Sequence, residues 1–78
     1  MRELMMKRAE LDVVVLAEDL PGEGLAKGMI GTIVVVFENP TLAYLVEFCD
    51  QEGRTIALPA LLPDQVIDYL PPERADVP

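Results

Sequence analysis

Histidine is missing from the sequence, and Cys49 is its single cysteine. The chain can therefore build neither an internal disulfide nor a zinc site of cysteine and histidine ligands. General acid–base catalysis at neutral pH most often uses histidine, and a cysteine nucleophile needs a base beside it. We therefore predict a protein of a reducing cytoplasm that is not an enzyme, with no catalytic residue, no cofactor and an inert Cys49.

Long apolar runs are also missing. The runs at 13–16 and 33–37 are far shorter than the about 20 residues of a membrane helix. Near the N-terminus, three apolar residues at 4–6 are followed by Lys7 and Arg8, whereas a secretory signal needs a longer apolar core. The sequence therefore predicts a soluble protein with no membrane contact.

Basic residues are scarce, with 6 Lys and Arg against 14 Asp and Glu and a net charge of −8. Residues 11–69 contain ten carboxylates against Lys27 and Arg54, so the whole net charge falls on this central part. Nucleic-acid binding gains affinity by neutralising phosphates with lysine and arginine. The charge therefore argues against nucleic acid as a ligand and favours a basic protein partner, because complementary charge raises association rate and selectivity.

Carboxylates occur in two close pairs, Glu18 next to Asp19, and Asp50 and Glu52 separated by one residue. Such pairs could bind a hard cation such as calcium. Each pair lies in a predicted turn, however, where solvated acidic side chains are common. We predict no metal site.

The length of 78 residues predicts one domain, and the 51% hydrophobic content predicts that it folds despite its charge. We assign residues 1–10 to an N-terminal extension, 11–70 to the domain and 71–78 to a flexible tail. A core of this size supplies only a few kcal/mol, which makes a partner or self-association plausible.

Apolar and β-branched runs bounded by glycine, proline and acidic residues predict five strands, at 11–17, 29–37, 43–48, 54–58 and 66–70. Gly28 and Gly31 open the second strand, Leu20 and Leu25 are expected to pin the loop before it, and a single helical turn is expected at 63–65. The order predicts an all-β fold, a small five-stranded SH3-like barrel with a short helical or frayed N-terminal segment. The β content would also permit an OB-fold, but that fold usually has a helix between its third and fourth strands, and the gap at 49–53 is too short for one, so we prefer the SH3-like barrel.

Alternation in the third strand places Tyr44, Val46 and Phe48 on one face, which we predict to be core. The second strand is instead apolar on both faces. Because a small barrel buries one face well, some of Ile30, Val34, Val35 and Val36 are expected to be covered by a second chain, either a partner or another copy in a homodimer. The alternative is that the N-terminal segment or the curled hairpin covers them.

Several short motifs match, in order, a known family. They are Leu11-Asp12-Val13-Val14-Val15-Leu16, Asp19-Leu20-Pro21, Gly24-Leu25, Gly28-x-x-Gly31-Thr32-Ile33, Val46-Glu47-Phe48 and Gly53-Arg54-Thr55. Together they resemble a family of small bacterial domains of unknown function over residues 11–69. The resemblance implies a bacterial protein encoded beside its partners, with an antitoxin or immunity-type role.

The pattern Gly28-x-x-Gly31-x-Ile33 also resembles the KOW motif of SH3-like ribosomal and transcription proteins, and a motif in the small barrel of nitrile hydratase subunits. These resemblances imply two alternatives, a nucleic-acid-associated barrel and an accessory subunit of an enzyme complex. We favour a non-enzymatic, acidic protein-interaction module. Its predicted partner-binding residues are Glu18, Asp19, Glu23, Glu38, Asp50, Glu52, Val34 and Val35.

Overall fold

A computed structural model describes residues 8–70. These residues form one antiparallel sheet of six strands with two short 3₁₀ turns, so the predicted all-β class is confirmed. The strands are β1 (Val13–Leu16), β2 (Ile30–Phe37), β3 (Ala43–Cys49), β4 (Thr55–Ala57), β5 (Ala60–Leu61) and β6 (Val66–Asp68), and the turns are Pro21–Glu23 and Pro63–Gln65.

The predicted number of five strands is wrong, because the described residues contain a sixth, β5. Pro59 has no N–H and interrupts the ladder between β4 and β5. Its carbonyl oxygen nevertheless accepts a hydrogen bond from the Val46 N–H at 3.0 Å, so the chain stays beside β3 across the break. A two-residue strand between prolines carries no alternation that a sequence pattern could detect.

The strand order is β4-β3-β2-β1-β6, and β5 pairs with β3 beside β4. The predicted turn at Pro63–Gln65 is confirmed, and it carries the chain from the β3 edge to β1, where β6 pairs. Gln65 closes this turn twice, because its N–H donates to the Leu62 carbonyl at 2.9 Å and its side-chain oxygen accepts from the Leu62 N–H at 2.8 Å.

The core lies on one face of the sheet, where alternate residues of each strand point. The predicted core residues Tyr44, Val46 and Phe48 are confirmed, each at most 1% exposed. The predicted pinning of the loop at 18–27 is also confirmed, since Leu25 is buried and Leu20 and Leu25 exchange backbone hydrogen bonds. The other buried apolar residues are Val14, Leu16, Ile33, Leu61 and Val66.

Gly28, which precedes β2, and Gly31, which lies within β2, have different structural roles. Gly28 has φ of +94°, and its N–H donates to the Leu16 carbonyl at 2.8 Å, which closes the loop onto β1. Gly31 instead lets the backbone of β2 lie close to core side chains of β3. A Cβ atom there would lie 2.7 Å from Val46 Cγ1 and 2.8 Å from Phe48 Cε1.

A strained turn precedes β1. The Asp12 N–H donates to the Ala9 carbonyl at 3.1 Å, and Leu11 within this turn has φ of +75°, a conformation that favours glycine. Of the predicted N-terminal segment, residues 8–10 are described and form no helix. The predictions for residues 1–7 and 71–78 lie outside the described residues.

Candidate interaction surface

The sheet has a second face, which points away from the core, and we call it the outer face. Residues that are directly opposite in register share a face, so the pairings assign its members. They are Val13, Val15, Ile30, Thr32, Val35, Phe37, Ala43, Leu45, Glu47, Cys49, Thr55, Ala60 and Ile67. Glu47 is the one charged side chain among these positions, although 26% of the whole chain is charged.

Two aliphatic rows cross the outer face. In the first row, Val15 lies between Ile30 and Ile67, and these two isoleucines are 51% and 53% exposed. In the second row, Leu45 lies between Val35 and Ala60. Each row spans three strands, and the two rows lie on either side of the outward positions of Val13, Thr32 and Glu47.

Glu47 lies between the two rows. It pairs with Thr32 of β2, and it follows Leu45 by two residues in β3, so both side chains point outward. Its side chain is half-buried. The Thr55 hydroxyl donates a hydrogen bond to Oε2 of Glu47 and thereby orients the carboxylate. The outer face therefore contains one positioned negative charge, with Thr32 beside it and an aliphatic row on either side.

Three of the predicted partner-binding residues lie in the loop between β1 and β2. Glu18 Oε2 accepts from the Gln65 side-chain amide at 3.0 Å, and Asp19 Oδ1 accepts from the Lys27 N–H at 2.8 Å. Glu23 is exposed in the first 3₁₀ turn. Glu18 and Asp19 therefore hold the loop in shape in addition to contributing charge.

Asp50 and Glu52 lie together in the turn between β3 and β4. Asp50 Oδ1 accepts from the N–H groups of Glu52 and Arg54 at 2.8 and 2.9 Å, and the Arg54 guanidinium reaches Oδ2 at 3.3 Å. The Arg54 N–H is the main cause that lowers the pKa of Asp50 below its usual 3.8, while partial desolvation opposes it. Arg54 Nη2 also donates to Glu52 Oε1 at 2.6 Å. This pair therefore stabilises the turn.

The predicted residues do not form a single cluster. Val35 lies on the outer face, and Val34 is the extra residue of a bulge in β2, where Ile33 pairs with Val46 and Val35 with Leu45. Glu38 comes directly after β2, and the loop that contains Glu18, Asp19 and Glu23 adjoins the other end of that strand.

Two outer-face residues, Leu45 and Glu47, were missed as candidate binding residues, whereas Ile30 is among the β2 residues that the sequence predicts to be covered by a second chain. Alternation in β3 already turns Leu45 and Glu47 away from the core, which is the signal that was available. Their grouping with residues of β1, β5 and β6 depends on cross-strand register, which the sequence does not show.

Within residues 8–70, no group of three or more cysteine, aspartate or glutamate side chains is placed to hold a metal ion. In the same range, no helix is long and apolar enough to cross a bilayer. Cys49 has an exposed, free thiol on the outer face.

The fold and its surface define a small all-β domain with a single antiparallel sheet. A family model described as a domain of unknown function, DUF4926, matches residues 10–68. The chain therefore belongs to this family. Searches of curated proteins and of solved structures found no match.

Proposed function

We propose that this protein is a non-enzymatic, acidic interaction module of a bacterial cytoplasm that binds a basic protein, in the manner of an antitoxin or immunity protein. The observation that carries the proposal is the distribution of charge over the folded part. Residues 8–70 contain eleven carboxylates and three basic side chains, yet the outer face contains only Glu47. An apolar surface surrounded by negative charge suits a partner whose apolar contact is surrounded by lysine and arginine.

The few cations of the described part add to this asymmetry. Arg8 Nε pairs with Asp68 Oδ1 at 2.9 Å, and Arg54 pairs with Asp50 and Glu52. Two of the three basic side chains are thus already bound to carboxylates. This supports a basic protein as the partner and weighs against the nucleic-acid alternative, since phosphate binding relies on lysine and arginine that are available to the ligand.

The finer fold that we propose is an SH3-like barrel. Two observations support it: β1 pairs with both β2 and β6, and the turn at Pro63–Gln65 leads from the edge of β3 to the edge of β1. The long loop between β1 and β2 and the tight turn between β3 and β4 also follow the order expected of that fold. In such a barrel the outer face of the sheet remains available to a partner.

The proposal is tested by co-expressing the chain with the product of the adjoining gene and purifying one through a tag on the other. We expect a stable complex, and we expect titration calorimetry to show an affinity that falls as salt is raised, because rim charges contribute to association. A matched variant with lysine in place of Glu18 and Glu23 should associate more slowly with a basic partner.

Two results would overturn the proposal. One is a failure of the two products to associate at low salt. The other is a salt-sensitive gel shift of RNA or DNA by the purified domain, which would support the nucleic-acid-associated barrel instead.

A further inference from the structure

A partner that packs on both rows of the outer face must also cover the Glu47 carboxylate, which lies between them. A carboxylate has about four lone-pair positions for donors, and the Thr55 hydroxyl is the donor that the structure places at Oε2. A purely aliphatic partner would remove water from the remaining positions without replacing its hydrogen bonds, which is strongly unfavourable. The partner must therefore bring a donor to this point.

A second copy of the chain offers no cation for this carboxylate. Two copies related by a two-fold axis would present the same outer face to each other. Across its strand positions that face contains no cation and only the neutral hydroxyls of Thr32 and Thr55 as side-chain oxygen donors, so each Glu47 would lie against neutral groups or against the other Glu47. The net charge of −8 on each copy adds a general repulsion.

We infer that Glu47 is the specificity-determining residue of the outer face, and that it accepts one lysine or arginine side chain of a protein partner while aliphatic neighbours of that side chain pack on the two rows. This inference rests on the proposed function and names the site and the contact chemistry. Thr55 acts as a positioning residue, because its hydroxyl fixes the direction in which the carboxylate points.

Selection from a random peptide library displayed on phage tests this inference with the full chain as bait. We expect the selected peptides to contain a lysine or arginine flanked by leucine, isoleucine or valine. Glu47→Gln keeps the shape of the side chain and an oxygen that can accept from Thr55, so it should leave the unfolding transition unchanged. It should weaken binding of these peptides by about tenfold or more.

Glu23→Gln is the matched control, because it makes the same change of charge on an exposed loop. It should weaken binding by less than about threefold, as expected of an exposed charge. Thr55→Val should reduce the affinity while the preference for a basic side chain remains. In NMR spectra of the isotope-labelled protein, addition of peptide should change the amide chemical shifts of Glu47, Leu45 and Ile30 more than those of the β1–β2 loop.

Basic peptides that bind equally well to wild type and Glu47→Gln would overturn the inference and leave the proposed function standing. A selection that yields only peptides without cations, or no binder at all, would overturn both. Self-association that Leu45→Lys abolishes would assign the outer face to a second copy. Nuclear Overhauser contacts between Leu45 and a terminal segment would assign it to the chain itself, and either result contradicts the inference.

Discussion

Gly31→Ala is expected to destabilise the domain although it adds a single methyl group. The new Cβ would lie 2.7 Å from Val46 Cγ1, 2.8 Å from Phe48 Cε1 and 3.0 Å from the Glu47 carbonyl oxygen. Carbon atoms in contact are ordinarily about 3.5 to 4.0 Å apart. Neighbouring groups would therefore have to move by roughly 1 Å.

None of these neighbours can move easily. Val46 is β-branched and stiff, Phe48 is fully buried, and the third neighbour is backbone. Because these neighbours cannot yield, we expect the upper part of the usual cost of overpacking, about 2 to 3 kcal/mol. The more restricted unfolded chain of alanine offsets about 0.4 to 1 kcal/mol, so the expected net loss in the free energy of unfolding is about 1 to 2.6 kcal/mol.

Urea denaturation of wild type and Gly31→Ala measures this loss directly. Val46→Ala in the Gly31→Ala background removes Cγ1 and should make the two changes less destabilising together than their sum, because the new methyl group occupies part of the space. A Gly31→Ala protein as stable as wild type would refute the close approach of β2 and β3, and so would strict additivity of the two changes.

Three further predictions concern single positions. Leu11 has φ of +75° and is 76% exposed, so Leu11→Asn should raise the free energy of unfolding by about 0.5 to 1 kcal/mol, and a loss in urea denaturation would contradict the strain. Gly28 has φ of +94°, and no atom lies within 4 Å of an added Cβ, so Gly28→Ala should lower the free energy of unfolding by about 1 to 2 kcal/mol through backbone strain alone. Gly28→Asn should lower it by less. Folding lowers the pKa of Asp50, so its stabilising contribution is present at neutral pH and is lost as the pH falls below about 3.8. Asp50→Asn removes this titration, so the free energy of unfolding of the variant should change less with pH in that range.

Much of the fold follows from local patterns. The runs that became β1, β2, β3 and β6 are β-branched or alternating, and prolines and glycines mark their ends. The observed strands are shorter than the predicted ones where tertiary contacts end. β1 begins at Val13 rather than Leu11, because Leu11 belongs to the turn that precedes the strand. β5 was missed because its two residues gain their strand conformation from β3 alone.

The candidate interaction surface was harder to predict for a physical reason. Glu18, Asp19 and Asp50 attract attention as loop carboxylates, but hydrogen bonds within the chain engage all three. The outer face instead depends on which residues of separate strands come to lie side by side. The bulge at Val34 shifts that register by one residue, and the sequence carries no mark of it.

The most direct test of the outer face as the binding surface is the affinity of Ile30→Lys for the adjoining gene's product, measured by titration calorimetry. Ile30 is 51% exposed, so the change should leave the fold intact while placing a positive charge where a basic partner would pack. Leu70→Lys, at a residue that is 81% exposed and lies past the end of β6, is the control. The account predicts a loss of about tenfold or more for Ile30→Lys and little change for Leu70→Lys. Equal affinities of wild type and Ile30→Lys would contradict it.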